Sequence, residues 1–393
     1  DHVLVSANGR NFYDYEDLIL ARDAYNGVLL WSRTFKTPSF KESGLPLPPN
    51  PTPRMKLGGR TSKVRPVASG DRLFAAGEGR LLVLDAATGA TAADLGETRD
   101  PRELLVDGGL LVLSDASGVR AFDAATLKPA WTQAMDARRM VSEGDGLFLV
   151  TATQVVGLDR ATGKVRWRTD EPDAALALTC TAHEGVLVLE KSTLRDDPVG
   201  CGIKVYSTRS GELQWTRDYR PDMTHYREAR AYFAQGLLWI PAEKEGLLGL
   251  EPKNGSERKH WSTRGKHCAT PVATERFFLA PECEFTDLAD GTQTRARMFK
   301  SACRQPFVPA NGLLYTFPVQ CECFPMLRGT MGLSSGKPAG PAAGPRLERV
   351  AAAPASPRPD GDAAEWPIYR HDAWRSGATP SPLRNAAPKR TWE

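Results

Sequence analysis

The hydrophobic positions of this chain fall into short alternating runs separated by Gly, Asn-Gly or Asp. Runs of about four to eight residues with a period of two predict half-buried strands, and the separators predict tight hairpins. One phrase recurs. An apolar run reaches Asp, passes two residues to Thr-Gly, and continues into a second alternating run that carries a Trp. Its fullest form is "GLDRATGKVRW" at residues 157–167, with looser versions ending at Trp31, Trp131 and Trp215 and one without a Trp around Gly89. Each copy reads as a hairpin. The Asp accepts hydrogen bonds from nearby backbone N–H groups, and the Gly supplies the positive φ the turn requires.

The turn position is filled by Gly27, Gly89, Leu127, Gly163, Gly211, Gly255, Gly291 and Gly336, at spacings of 62, 38, 36, 48, 44, 36 and 45. The mean, about 44, is the period of a four-stranded blade. Two further strands are predicted upstream of each hairpin, as in "HVLVSA–NG–RNFYDY" and "ELLVD–GG–LLVLS". Eight such units predict an all-β chain, an eight-bladed β-propeller of four-stranded antiparallel blades, in which radial repetition leaves few exposed edges. The last unit lacks a clear outer strand, and "RLERVAA" at 346–352 is the candidate. The recurring indoles, Trp31, Trp131, Trp167, Trp215 and Trp261, fall on outer strands and are expected to pack into the gap to the next blade. Burying one contributes roughly 3 kcal/mol or more.

This phrase resembles the repeat of the pyrroloquinoline-quinone (PQQ)-like β-propellers, which include quinoprotein alcohol dehydrogenases and an outer-membrane assembly lipoprotein of Gram-negative bacteria. The resemblance covers residues 1–352. It is nearest to bacterial, planctomycete-like PQQ-binding-like repeat proteins along "SANGRNFYDYEDLILARDAYNGVLLW", "HCATPVATERFFL" and "VPANGLLYTFPVQCECFPMLRGTMGL". It implies the fold and says little about chemistry, because one propeller architecture hosts many functions. Residues 337–365 break the period, and 353–365 read as a Pro/Ala-rich linker. "WPIYRHDAWRSGATPSPL" then resembles the segment that opens a propeller in this superfamily. Residues 366–393 are therefore expected to begin a second, truncated propeller. The alternative is a tail that wraps back onto the first.

Charge and composition narrow the partners. The net charge is +4 and the basic residues are scattered, so no nucleic-acid footprint is present. No apolar run approaches the roughly 18 residues of a membrane span. The chain opens at Asp1 without Met, as a processed or cut N-terminus would.

Strand order places the loops. The Asp-x-x-Thr-Gly turns lie on one face, and the long connections 36–60, 191–200, 220–228 and 318–329 lie on the other, where binding is expected. Five of the seven cysteines, Cys268, Cys283, Cys303, Cys321 and Cys323, fall on that second face. One reading is disulfides, with Cys303 joined to Cys321 or Cys323 and a further pair between Cys180 and Cys201. The superfamily is largely exported, which implies a periplasmic or extracellular, oxidising setting. A second reading is a metal or redox-thiol cluster of His267, Cys268, Cys303, Cys321 and Cys323, although the spacings match no zinc knuckle or ribbon. A third is unpaired buried thiols.

A quinoprotein of this superfamily holds PQQ against a disulfide of adjacent cysteines, with Ca²⁺ and an Asp base. This sequence has no adjacent Cys pair and no assignable calcium ligand. Asp14, Glu16 and Asp17 in "YDYED" read as strand residues facing solvent, and His371 reads as a packing residue. The expectation is a non-catalytic, exported, monomeric scaffold that binds a protein, glycan or small ligand on its loop-rich, Cys-bearing face. The alternatives are a PQQ- and Ca²⁺-dependent dehydrogenase and a thiol or metal redox module.

Overall fold

The computed structural model describes residues 3–15, 18–35, 64–191, 202–219, 231–242, 245–262, 271–280, 282–296, 299–301, 306–316 and 330–334, together with 372, 375, 378 and 379. Within them the chain is an eight-bladed propeller. Blade 4 shows the unit: Arg139–Glu143, Gly146–Val150, Gln154–Asp159 and Val165–Asp170 pair antiparallel in sequence order from the channel outward. Blades 1 to 7 each have four strands in this order, and three strands of blade 8 are described, Val308–Ala310, Leu313–Thr316 and Met331–Leu333. A single 3₁₀ turn, Ala174–Leu176, is the one helical element among the described residues.

Burial follows position in the blade. The second strand of blade 4, Gly146–Val150, is buried at every residue because neighbouring blades cover both its faces. The outer strand Val165–Asp170 alternates between exposed and half-buried, so only one face meets protein. This gradient explains why the inner runs read as continuous apolar stretches and the outer runs as alternation. The ring closes between its first and last blades. Asn311 donates to Ser6 Oγ at 2.8 Å, and the Tyr315 hydroxyl donates to the Ala24 carbonyl at 2.9 Å.

The repeated phrase builds the joint between blades. Asp159 Oδ1 accepts from the Thr162 N–H at 2.9 Å and hydroxyl at 2.8 Å, and Gly163 closes the turn at φ +69°. Hydrogen bonds from Arg166 and Thr162 hold the Asp159 carboxyl at about 2, well below the usual carboxylate range. The carbonyl just after the residue that opens the turn then receives the indole of the preceding blade. Trp31 Nε1 donates to Ala86 O at 3.0 Å, Trp131 to Arg160 O at 2.9 Å, and Trp167 to Thr208 O at 3.0 Å. Trp215 donates to Pro252 O at 2.8 Å and Trp261 to Leu288 O at 3.2 Å.

Each of these rings lies flat on the turn Gly of the next blade. A Cβ at Gly89, Gly163, Gly211, Gly255 or Gly291 would stand 2.3–2.8 Å from the indole, inside any real contact distance. Thus Gly serves two purposes here: it permits positive φ, and it leaves room for the preceding Trp.

The joint between blades 2 and 3 departs from this pattern. The outer strand of blade 2 carries Ala93 where its neighbours carry Trp, and the turn of blade 3 carries Leu127 at φ +62° where they carry Gly. Both side chains pack against the core cluster shared by blades 2, 3 and 4. Arg72 replaces the indole donor, reaching Ala124 O at 2.5 Å and Ala125 O at 2.8 Å.

Residues 366–393, expected to open a second propeller, place their described members on this ring. Ala378–Thr379 pairs in parallel with Val272–Thr274, the inner strand of blade 7. Arg375, just upstream, finds partners on the inner strands of blades 3 and 5. The outer-strand candidate "RLERVAA" and the linker 353–365 lie outside the described residues.

Candidate functional site

Two rims and a channel follow from this strand order. Connections between first and second strands, and the Asp-x-x-Thr-Gly turns between third and fourth, occupy one rim. The second-to-third and blade-to-blade connections occupy the other. Each long connection of the sequence leaves from strand ends on that second rim. Residues 36–63 follow the outer strand of blade 1, 192–201 separate the second and third strands of blade 5, and 317–329 do so in blade 8. Residues 220–230 link blade 5 to blade 6. Those connections themselves lie outside the described residues.

The described part of this rim is strongly polar. Where blades 4 and 5 meet, Lys204 pairs with Glu171 at 2.6 Å and Asp173 at 2.9 Å, while Lys191 reaches Asp218 at 3.0 Å. The hydrogen bond from Lys204 lowers the Asp173 carboxyl below its usual range. The Tyr206 hydroxyl donates to Glu171, and burial together with that carboxylate pushes it above the ordinary phenol range. Asp14 also lies toward this rim but is only 2% exposed, not solvent-facing as its alternation suggested. The second strand of blade 1 is covered on both faces, so alternation there does not mark a wet side. Glu16 and Asp17 lie outside the described residues.

Of the cysteines, Cys180 and Cys283 are described, and both are buried free thiols. This departs from the disulfide expectation for these two, Cys180 being set in the middle of an inner strand and Cys283 in the turn between the second and third strands of blade 7. Burial pushes each thiol up to about 12. Both are expected to resist alkylation at pH 8 in the folded protein, at least about a hundredfold more slowly than after unfolding, since the thiolate is the reactive form. Peptide mass spectrometry after timed iodoacetamide exposure measures this. His267, Cys201, Cys268, Cys303, Cys321, Cys323 and His371 lie outside the described residues. Among the described residues no group of three or more His, Cys, Asp or Glu is placed to hold a metal ion.

The channel contains a cluster that sequence reasoning did not find. Arg375 enters it and reaches Glu103 Oε2 at 2.5 Å, and the Thr181 hydroxyl donates to the Arg375 carbonyl at 2.6 Å. Glu103 begins the inner strand of blade 3, and Thr181 lies within the inner strand of blade 5. Arg139, from the inner strand of blade 4, lies 3.8 Å from the other Glu103 oxygen. The signal available in sequence was the "WRSGAT" segment, whose resemblance to a propeller opening points to a second ring in place of this one.

The family described as the outer membrane protein assembly factor BamB matches residues 15–142 and 115–277. This chain belongs to that family of PQQ-like propellers. Among solved structures, this BamB-family chain is similar to a computationally designed protein, Ika8, with a TM-score of 0.58 and 12% identity over 79% of this chain and 91% of that one. It is also similar to BamB from Moraxella catarrhalis, with a TM-score of 0.49 and 15% identity over 73% of this chain and 78% of that one. A third is Hsv2 from Kluyveromyces lactis, with a TM-score of 0.43 and 8% identity over 75% of this chain and 97% of that one. At such identities the likeness is one of fold. No curated protein matches the sequence. No helix among the described residues is long and apolar enough to cross a membrane.

A PQQ group of the kind the wider superfamily uses would lie over the channel of this BamB-family ring, and the residues described there do not fit it. PQQ is a tricarboxylate. Glu103 presents the same sign of charge, and the guanidinium of Arg375 is already committed to Glu103. The strand added at blade 7 further covers the inner wall where a flat ligand would stack.

Proposed function

We propose that this chain is a non-catalytic, exported scaffold, working in the periplasm or outside the cell, that holds a protein partner on the rim bearing its long connections. The observation that carries the reading is topological. All the long connections leave one rim of a rigid ring, and loops on a rigid frame are where binding residues concentrate. Membership in a family described as an assembly factor supports a protein as the ligand class, in preference to a glycan or small molecule. The turn rim is short and built from repeated joints, which suits it to support.

The test uses photo-crosslinking amino acids placed in the complete protein in its source cell. Arg99, Asp136 and Pro172 are exposed on the loop-bearing rim, and Tyr25, Thr88 and Ser210 are exposed on the turn rim. Crosslinks to a protein from the first three alone are expected. Crosslinks confined to the turn rim would relocate the site, and the apolar cluster of Tyr25, Val28, Leu29 and Leu30 on the outer hairpin of blade 1 would become its centre. A parallel addition of PQQ and Ca²⁺ is expected to produce neither quinone absorbance in the protein fraction nor a shift in melting temperature.

A further inference from the structure

The centre of the ring receives part of the chain's own C-terminal region through three separate blades. Blade 3 supplies Glu103 to the Arg375 guanidinium, and blade 5 supplies the Thr181 hydroxyl to its carbonyl. Blade 7 supplies backbone, with Ala273 opposite Ala378 and Thr274 opposite Thr379 in parallel register. Arg375 adopts φ +60°, and its N–H donates to the Asp372 carbonyl at 3.0 Å, so the chain turns tightly at the arginine. That turn presents guanidinium and carbonyl together to the wall. The Arg375 side chain is 4% exposed and Glu103 11%, so this pair is nearly dry.

We propose that the inner wall over blades 3, 5 and 7 is a receptor for an arginine-bearing peptide segment that adds a short strand to blade 7, and that its occupant is this chain's own Asp372, Arg375 and Ala378–Thr379. The site lies in the channel and so goes beyond the rim assigned above. Two physical requirements converge on such an occupant. The innermost strand of any blade offers unpaired backbone N–H and C=O groups toward the channel, an edge that a further strand completes. The nearly dry Glu103 carboxylate has Arg139 no nearer than 3.8 Å and takes a closer cation from the segment, and Arg supplies a planar fork of donors that Lys does not reproduce. The recognition is thus sequence-selective at one position and backbone-mediated at the next.

The experiment uses the complete chain with a cleavage site for a specific protease inserted within residues 353–365. After cleavage, the fragment carrying Arg375 is expected to remain with the ring through gel filtration at micromolar concentration. Glu103→Gln is expected to weaken that retention about tenfold or more, because it removes the carboxylate that the nearly dry guanidinium meets at 2.5 Å. Arg375→Lys is expected to act in the same direction while leaving the sequence of the ring intact, so a misfolded ring cannot mimic its effect. Circular dichroism of each cleaved sample checks that the ring persists. Free elution of the fragment from the unsubstituted chain overturns the proposal. So does retention that neither substitution changes.

Discussion

Replacing the half-buried Trp167 with Ala is expected to destabilise the protein by about 3 kcal/mol, the low end for truncation of a large core aromatic. The reason is the shape of its slot. Trp167 lies between two glycines: Gly157 on the adjacent strand of its own blade and Gly211 in the turn of the next. A Cβ at either would come within 2.3 Å of the ring. Phe148 stacks beside it at 5.9 Å and 24°, and its Nε1 donates to Thr208 O. With the indole gone, neither glycine has a side chain that can relax into the space, and one half-buried carbonyl loses its donor, which costs up to about 1 kcal/mol by itself. The reciprocal change, Gly211→Ala, is expected to cost about 2–3 kcal/mol. Gly144→Ala is its control, because Gly144 has φ +58° but nothing within 4 Å of the added methyl, so only the backbone term of about 1 kcal/mol applies. The double variant Trp167→Ala/Gly211→Ala should be no less stable than Trp167→Ala with Gly144→Ala, because the collision requires the indole. Urea midpoints and slopes for the unsubstituted protein and the five variants measure the set. Equal losses for Gly211→Ala and Gly144→Ala would show that the ring does not rest on the turn.

These joints also show what was legible in the sequence and what was not. The propeller was readable because one unit repeats, and most copies carry the same local chemistry: an Asp that ties down its turn, a Gly at positive φ, and alternation in the strands. Those are short-range signals. The outer-strand position of the Trp was readable too, from its fixed offset. Its partner was not, since the carbonyl that accepts its proton belongs to the next blade, as with Trp167 and Thr208 some 41 residues on. The solvent-facing reading of Asp14 failed for a related reason: alternation reports burial only on a strand with one wet face, and the second strand of a blade has none. The Glu103–Arg375 pair was the least accessible. Its members are 272 residues apart, neither is part of a repeated motif, and only closure of the ring brings them together. The rim was legible as topology alone, because strand order dictates which connections share a side whatever their sequence.

Substituting Trp for Ala93 is expected to destabilise the protein by about 2 kcal/mol or more, although it restores the residue found at most other joints. The neighbour explains the sign. At this one junction the next blade presents Leu127 in place of Gly, and Arg72 already donates to the Ala124 carbonyl that an indole would otherwise claim. A Trp placed here meets a branched side chain where its counterparts meet a bare Cα, and overpacking of this kind costs about 1–3 kcal/mol. Leu127→Gly alone has two opposed effects. It releases a leucine from φ +62°, a gain of about 1 kcal/mol, and it removes a side chain packed on the core of blades 2 to 4, a loss of similar or greater size. Joined in one chain, the two substitutions recreate the flat ring on a glycine that Trp131 and Gly163 form at the following joint. The double variant should therefore be more stable than the sum of the single losses by at least about 1 kcal/mol, a coupling that only residues in contact produce. Urea unfolding of the four proteins in the cycle gives that number directly. Additive losses would mean that positions 93 and 127 do not share a space. The small-for-large and large-for-small exchange at this joint would then be a coincidence of two unrelated blades, and a matched pair across the gap would no longer describe how the ring is assembled.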